Sequence, residues 1–262
     1  MERAKKDAHV TTKSLTVAKK VSSEMKIYGV NACLTAFEKR PQDIVRVYVE
    51  PNKVKTFSKL LKTCATKKIA YKVITQEELN KVTDTTHNEG ICLIVRKKPV
   101  FNFKKFLSSL AKDQEKSCVV VLEGVSNPHN VGAILRVCAN FAVDGLLLQE
   151  PQLAMSGAVY RTAEGGAEWV QILETGELAK ALEEFKRQGF QIVGTSSHGG
   201  KPLNQSPFPN KCVILFGSET DGLSSQLLKI CDKTVFIPQS GHVESLNVSC
   251  AASVVLYEHF RN

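Results

Sequence analysis

Three segments of the 262-residue chain collect Gly, Asn, Ser, Glu and Arg between apolar runs. The first is Glu123-Gly124-Val125-Ser126-Asn127-Pro128-His129-Asn130-Val131-Gly132, leading into an apolar stretch that carries Arg136. The second, residues 217–223, is Gly217-Ser218-Glu219-Thr220-Asp221-Gly222-Leu223. The third, residues 237–249, runs from Ile237-Pro238 through Gly241, Ser245, Leu246 and Asn247 to Ser249. Glycine lets backbone approach a ligand closely, Asn, Ser and Glu make directed hydrogen bonds, and arginine carries a permanent five-donor cation. Each residue also has an ordinary use. Asn130 could cap a helix, Ser245 and Asn247 could start another, Gly217 and Gly222 could permit turns, and Arg136 could be a surface cation. It is their joint occurrence that points to one assembled site. No G-x-G-x-x-G follows the first strand and no Walker lysine loop exists, so dinucleotide and nucleoside-triphosphate sites fit poorly. The glycine-rich loop of class I methyltransferases is absent as well.

Each loop follows a run with the marks of a buried strand. Residues 118–122 are a continuous β-branched run typical of a parallel strand covered on both faces. A helix over 131–141 and a strand at 146–149 complete a βαβ unit. Further strands are expected at 191–195, 213–216 and 234–237, and helices at 177–188, 223–230 and 246–260. Strands alternating with helices predict an α/β fold with a parallel sheet, whose ligands sit beyond the strands' carboxyl ends. Ahead of it, a smaller α/β module spans 25–98. It has a helix at 31–40, strands at 44–49, 70–74 and 91–95, a helix at 55–66 and another from Gln76. Residues 99–117, with a helix at 103–111, read as the linker. Residues 1–24 read as a disordered basic tail.

Charge divides along the same line. Residues 1–98 hold 21 basic and 10 acidic residues, a net of +11, whereas residues 99–262 hold 14 and 16, a net of −2. Such segregation suggests a polyanion-binding module joined to a near-neutral one, and charge alone does not choose between DNA and RNA. No apolar run approaches a membrane span, and the charged N-terminus is unlike a secretory signal. The 8 cysteines contain no C-x-x-C and sit mostly in apolar runs, as core residues of a reduced, cytoplasmic compartment do. The histidines are scattered without H-E-x-x-H, so no metal site is expected.

The three segments resemble the three motifs of the SpoU/TrmH family, the RNA 2′-O-ribose methyltransferases of the SPOUT superfamily. The first is N-x-G-x-x-x-R at 130–136, the second G-x-E-x-x-G-L at 217–223, and the third I-P-x-x-G-x-x-x-S-L-N-V-S at 237–249. The likeness covers residues 118–260 and includes the Arg161-Thr-Ala-Glu-Gly-Gly-Ala-Glu168 segment. The basic module resembles the L30e-like RNA-binding domain of the ribosomal-RNA branch. It opens with Ile27-Tyr28-Gly29-Val30-Asn31-Ala32, and it departs from that branch at His87-Asn88-Glu89-Gly90, where a shorter H-Q-G is usual.

This resemblance implies a C-terminal α/β domain tied in a deep trefoil knot, a homodimer, and S-adenosylmethionine as methyl donor. Thr195, Gly217, Ile237 and Leu246 would surround the adenine. Arg136 would inherit the role of base toward the ribose hydroxyl, assisted by a substrate phosphate. Alternatively, its guanidinium would hold the phosphate in two bonds and stabilise the developing alkoxide. Glu219 would orient Arg136, Asn130 and Asn247 would fix that geometry, and Ser245 would bond substrate or cofactor. Ribosomal RNA is the expected substrate. A transfer-RNA methyltransferase and a non-catalytic RNA-binding or assembly protein are the rival readings.

Overall fold

Apolar residues at every position of a strand demand cover on both faces, and the computed structural model supplies it. It describes residues 23–110, 115–197 and 199–261. The expected tail therefore lies outside the described residues, apart from its last two positions. The small domain comprises β1 (Glu24–Tyr28), α1 (Val30–Lys39), β2 (Ile44–Val49), α2 (Ser58–Thr66), β3 (Ala70–Val73), α3 (Gln76–Thr83) and β4 (Ile91–Arg96). Its sheet has the order β1-β4-β2-β3, with β4 antiparallel to both neighbours and β2 parallel to β3. Strand β1 was not expected from the sequence: its burial alternates only weakly, and Lys26 interrupts the apolar face. The other expected elements are present, with ends that agree or move by at most three residues.

The larger sheet is built from β5 (Phe101–Asn102), β6 (Ser117–Leu122), β7 (Gly145–Leu148), β8 (Gln171–Glu174), β9 (Gln191–Thr195), β10 (Lys201–Pro202), β11 (Lys211–Phe216) and β12 (Lys233–Phe236). Its order is β10-β12-β9-β11-β6-β7-β8-β5, and every neighbouring pair is parallel. Along β6, Cys118, Val120 and Leu122 join one buried cluster, while Val119 and Val121 join the other. The first cluster is covered by α5 (Pro128–Asn140) and α9 (Val248–Arg261). The second is covered by α4 (Phe103–Ser109), α7 (Leu178–Arg187) and α8 (Ser225–Ile230). The two-residue period of a strand thus feeds both layers, which is why the run reads as uninterrupted.

Two elements correct the expected organisation. The segment 99–117 is more than a linker, because β5 closes the edge of the large sheet beside β8 and Phe103 and Phe106 of α4 are buried. The region 150–176, for which the sequence predicts no element, contains α6 (Gly157–Thr162) and β8. Both carry little period: α6 has six residues, and in the four-residue β8 the apolar Ile172 and Leu173 are adjacent rather than alternating.

The segment 157–168 also fastens the two domains. Gly157 lies so close to Tyr28 that a Cβ there would sit 2.3 Å from the ring. The Asn31 amide donates to Glu164 at 2.7 Å, and Arg161 pairs with Glu89 at 3.4 Å. Beneath these, the fully buried carboxylate of Glu168 accepts from Arg40 Nε at 2.9 and 3.1 Å and pairs with Lys98 Nζ at 2.8 Å. Arg40 is itself 4% exposed. Apolar side chains of both domains belong to one contiguous cluster.

Candidate functional site

After β6 the chain moves outward through β7 and β8, then crosses back to β9 on the other side of β11. That reversal opens a crevice beyond the carboxyl ends of the strands, the usual place for a ligand in such a sheet. A cavity of about 330 Å³ lies there, within the range for small-ligand sites. Thr195 at the end of β9, Gly217 after β11, Ile237 after β12 and Leu246 before α9 all line it, as do Glu219 and Ser245. All four residues expected around adenine therefore meet in one place.

The spacing G-x-E-x-x-G-L has a steric cause. Gly222 N–H donates to Ser218 O at 3.1 Å, and Asp221 N–H donates to Ser218 Oγ at 3.0 Å, folding the loop onto itself. A Cβ on Gly217 would lie 2.0 Å from the Gly222 carbonyl carbon, and Gly222 has φ +66°. One glycine is needed for close approach and the other for handedness. The loop is held from outside by Glu123, whose Oε2 accepts from Ser224 N–H at 2.8 Å. The third loop is braced by Gln239 Nε2 donating to Glu244 O at 3.1 Å.

At the cavity's rim the three motifs join through side chains. Asn247 Nδ2 donates to Glu219 Oε1 at 2.6 Å and to Asn130 Oδ1 at 3.1 Å, while Asn130 Nδ2 donates to Glu219 Oε1 at 3.2 Å. Asn247 has a second function: its Oδ1 accepts from the Ser249 N–H at 2.9 Å and the Ser249 hydroxyl at 2.6 Å, capping α9. Its amide nitrogen thus joins the other two motifs while its oxygen caps the helix. Asn130 is not a cap, because Asn127 caps α5 and accepts from His129 N–H at 2.9 Å. The helix starts three residues earlier than expected, at Pro128, a residue suited to a first turn.

The expected pairing of Glu219 with Arg136 is corrected. Glu219 is engaged by the two asparagines, and the exposed Arg136 side chain makes no ion pair among the described residues. Six residues along a helix turn through about 600°, which leaves Arg136 about 120° away from the face of Asn130. Gly132 of the first motif serves packing rather than a ligand: a Cβ there would meet Thr162 at 2.7 Å and the Val159 carbonyl at 2.9 Å. Ser196, Ser197, Ser218, Gln239 and Glu244, none of them among the expected site residues, also line the cavity. Their positions just after Thr195 and inside the second and third motifs were the available signal.

Away from this site, Cys118 and Cys212 sit opposite one another on β6 and β11 with Sγ atoms 4.0 Å apart, and His259 Nδ1 lies 3.8 Å from Cys212 Sγ. A hydrogen bond from Cys118, reinforced by His259, pushes the Cys212 thiol down to about 6. Both cysteines are second residues of their strands, so the cluster lies at the opposite end of the sheet from the cavity. Six of the eight cysteines are buried, as expected of core residues.

A cavity walled by Phe216, Leu223, Val235, Ile237, Leu246 and Val248 and edged by glycine-loop backbone fits a flat, polar-edged ring such as adenine. An α/β chain with such a cavity, a polar rim and a basic forward domain has the organisation of an RNA-modifying enzyme. Comparison with known proteins makes this specific. Residues 117–257 match the model of the SpoU rRNA Methylase family, and residues 26–101 match RNA 2'-O ribose methyltransferase substrate binding. The uncharacterized tRNA/rRNA methyltransferase YfiF of Escherichia coli O157:H7 is 37% identical over 92% of this chain and 69% of its own length. The 23S rRNA (guanosine-2'-O-)-methyltransferase RlmB of Nitrosomonas europaea is 31% identical over 90% of both chains. The crystal structure of the SpoU methyltransferase AviRb from Streptomyces viridochromogenes, in complex with AdoMet, has the same fold. Its TM-score is 0.74 at 22% identity over 91% of this chain and 90% of that one. The chain belongs to the SpoU rRNA methylase family.

Proposed function

We propose that this chain transfers a methyl group from S-adenosylmethionine to a ribose 2′-hydroxyl of ribosomal RNA, acting as a cytoplasmic homodimer. The observation that carries the reading is the hydrogen-bonded meeting of Asn130, Glu219 and Asn247, one from each motif, at the rim of the adenine-sized cavity. Ribosomal RNA is favoured over transfer RNA because the RlmB likeness runs through the forward domain as well as the catalytic one. A purely non-catalytic role would not require the polar lock to be intact.

When bound, S-adenosylmethionine supplies an already activated methyl group, so the protein's task is to position the hydroxyl and stabilise its loss of a proton. Thr195, Gly217, Ile237 and Leu246 hold the donor. The lock of Asn130, Glu219 and Asn247 sets the rim against which the ribose rests, with Ser245 as a further hydrogen-bonding group. Arg136, whose side chain makes no ion pair among the described residues, meets the RNA phosphate and the nascent alkoxide with its planar fork. The dimer face includes α9, where Val254, Tyr257 and Phe260 are 41%, 55% and 51% exposed. Phe141 of the α5 cap packs on Tyr257 and Phe260 with centroids 6.1 and 5.6 Å apart, extending the same apolar surface. The C-terminal strands and α9 form the trefoil knot that the family resemblance implies.

Mapping of 2′-O-methylation across total RNA with and without the gene tests the substrate, and labelled methyl transfer by Arg136→Ala tests the site. Turnover should fall at least about a hundredfold with cofactor affinity unchanged, and Arg136→Lys should be nearly as damaging. Wild-type turnover in Arg136→Ala refutes the assignment. Light scattering should give twice the 28.8 kDa chain mass. A monomer at micromolar concentration refutes the dimer.

A further inference from the structure

Between Glu50 and Glu77 the chain carries Lys53, Lys55, Lys59, Lys62, Lys67, Lys68 and Lys72 and no acidic residue at all. All but Lys53 are exposed. Among the described residues, Lys55, Lys59, Lys62, Lys67 and Lys68 form no ion pair, and Lys72 only reaches Glu78 at 4.0 Å. Leaving so many like charges together and unneutralised costs stability, which an anionic partner would recover. Helix α2 orders them. Leu60, Leu61 and Cys64 are buried against the sheet, which turns Lys59 and Lys62 outward. Lys59, Lys62 and Lys67 line a shallow groove with Ser58, Thr63 and Thr66. From Lys59 to Lys67 the helix advances about 12 Å.

Three residues beyond Lys67 the chain enters β3, the edge strand of the small sheet. Strand β3 pairs only with β2, and all four of its residues are exposed. Tyr71 lies opposite Val47 in register. Val47 shares its buried cluster with Leu60, Leu61 and Cys64, so Tyr71 stands on the α2 side of the sheet. It is 46% exposed and is flanked in sequence by Lys67, Lys68 and Lys72. Lysines beside an accessible aromatic ring suit a single-stranded nucleic-acid segment, with phosphates on the cations and a base on the ring. An acidic protein would use the lysines and leave the ring unexplained.

We infer that the lysine face of α2, with Tyr71 at the edge of β3, is the surface on which the small domain holds RNA. Lys59, Lys62 and Lys67 bind consecutive backbone phosphates, and Tyr71 stacks an unpaired base. This rests on the proposed action on RNA and names the surface that captures it, separate from the surface that reacts.

The test uses the full chain and a fluorescent hairpin RNA of about 30 nucleotides with a single-stranded loop, titrated at salt from about 50 to 300 mM. Each phosphate contact to a single strand contributes about 0.7 to the slope of log affinity against log salt. Lys59→Ala/Lys62→Ala/Lys67→Ala should therefore lower that slope by about 2 and weaken binding about a hundredfold near 0.1 M salt. Tyr71→Ala should weaken binding about tenfold with the slope unchanged, and Tyr71→Phe should restore it. A slope lowered by less than about 1 in the triple variant overturns the phosphate contacts, and wild-type affinity in Tyr71→Ala overturns the stack. Competition by polyglutamate as effective as by RNA of equal charge overturns the inference in favour of an acidic protein. Calorimetry with S-adenosylmethionine on the same variants reports the catalytic half independently. Weak RNA binding with intact cofactor binding supports the surface, whereas absence of methyl transfer by the wild type refutes the underlying reading alone.

Discussion

Replacing Glu168 with Gln removes one charge from the junction of the two domains and leaves its shape nearly unchanged. The wild-type carboxylate is fully buried, with Arg40 Nε at 2.9 and 3.1 Å and Lys98 Nζ at 2.8 Å. Lys98 is about a quarter exposed, so water compensates much of its loss. Arg40 is less readily compensated: its side chain is 5% exposed, its Nη2 has no hydrogen-bond partner among the described residues, and it keeps Asp43 at 3.7 Å and the Arg96 carbonyl at 2.7 Å. Removing one partner of a buried ion pair costs about 3–5 kcal/mol, and the contacts Arg40 keeps with Asp43 and the Arg96 carbonyl put the cost at the low end, about 3 kcal/mol. For a chain of this size each kcal/mol moves the melting temperature by about 2–4 °C, so a fall of roughly 10 °C is expected in calorimetry. The bond crosses from one domain to the other, so the transition should also broaden or split as the domains lose their coupling. The double variant Arg40→Met/Glu168→Leu should recover most of the loss, because an apolar pair of similar volume has no ion to desolvate. A single variant within about 1 kcal/mol of the wild type, melting in an unchanged transition, refutes the reasoning.

Two further perturbations address other parts of the molecule. In the second motif, Gly217→Ala should abolish measurable cofactor binding in calorimetry, because its Cβ falls 2.0 Å from backbone. Gly222→Ala, with nothing within 4 Å, should cost only the strain of its φ of +66°, about 1 kcal/mol, and equal losses in the two variants would contradict the steric account. At the far end of the sheet, the Cys212 thiol is depressed to about 6. A depressed folded-state value gives stability that is present above the unfolded value near 8.5 and lost as pH falls through about 6. The melting temperature of the wild type relative to Cys212→Ala should therefore rise between those limits, and a flat difference would show that the thiol stays protonated throughout.

The sequence exposed the catalytic half well because its signals are local. Buried parallel strands are continuous apolar runs, and the residues that follow them are those that close tight loops, as Gly217 and Gly222 show. The strand ends then brought Thr195, Gly217, Ile237 and Leu246 to one cavity as expected. What was not legible depends on distance in the chain. Nothing near Glu219 indicates that its partners are Asn130 and Asn247 rather than Arg136, because that choice follows from the angular position of Arg136 on α5. Glu168 looked like part of a motif segment, and only the fold shows its carboxylate buried against Arg40, 128 residues earlier. Strand β5 has only two residues, too few to show a period, and in β8 the apolar Ile172 and Leu173 are adjacent between Gln171 and Glu174, a pattern that neither alternates nor forms a continuous apolar run.

One helix links the two halves of the function. The first turn of α5 supplies Asn130 to the lock, and its middle rests on the segment that fastens the small domain: Gly132 against Val159 and Thr162, and Gly166 against the backbone of Leu135 and Arg136. That same segment meets the small domain through Tyr28, Asn31, Glu89 and Arg40. If RNA is captured on the lysine face and reacts at Arg136, as proposed, the two surfaces are joined by close-packed backbone and buried charge. A rigid path has a kinetic consequence, since a displacement of about 1 Å in a reacting pair can cost about a hundredfold in rate. Glu168→Gln should then reduce turnover on RNA while leaving S-adenosylmethionine affinity and the salt slope of RNA binding where they were. If turnover holds and only stability falls, the junction is a fastening and the two domains act independently of their angle.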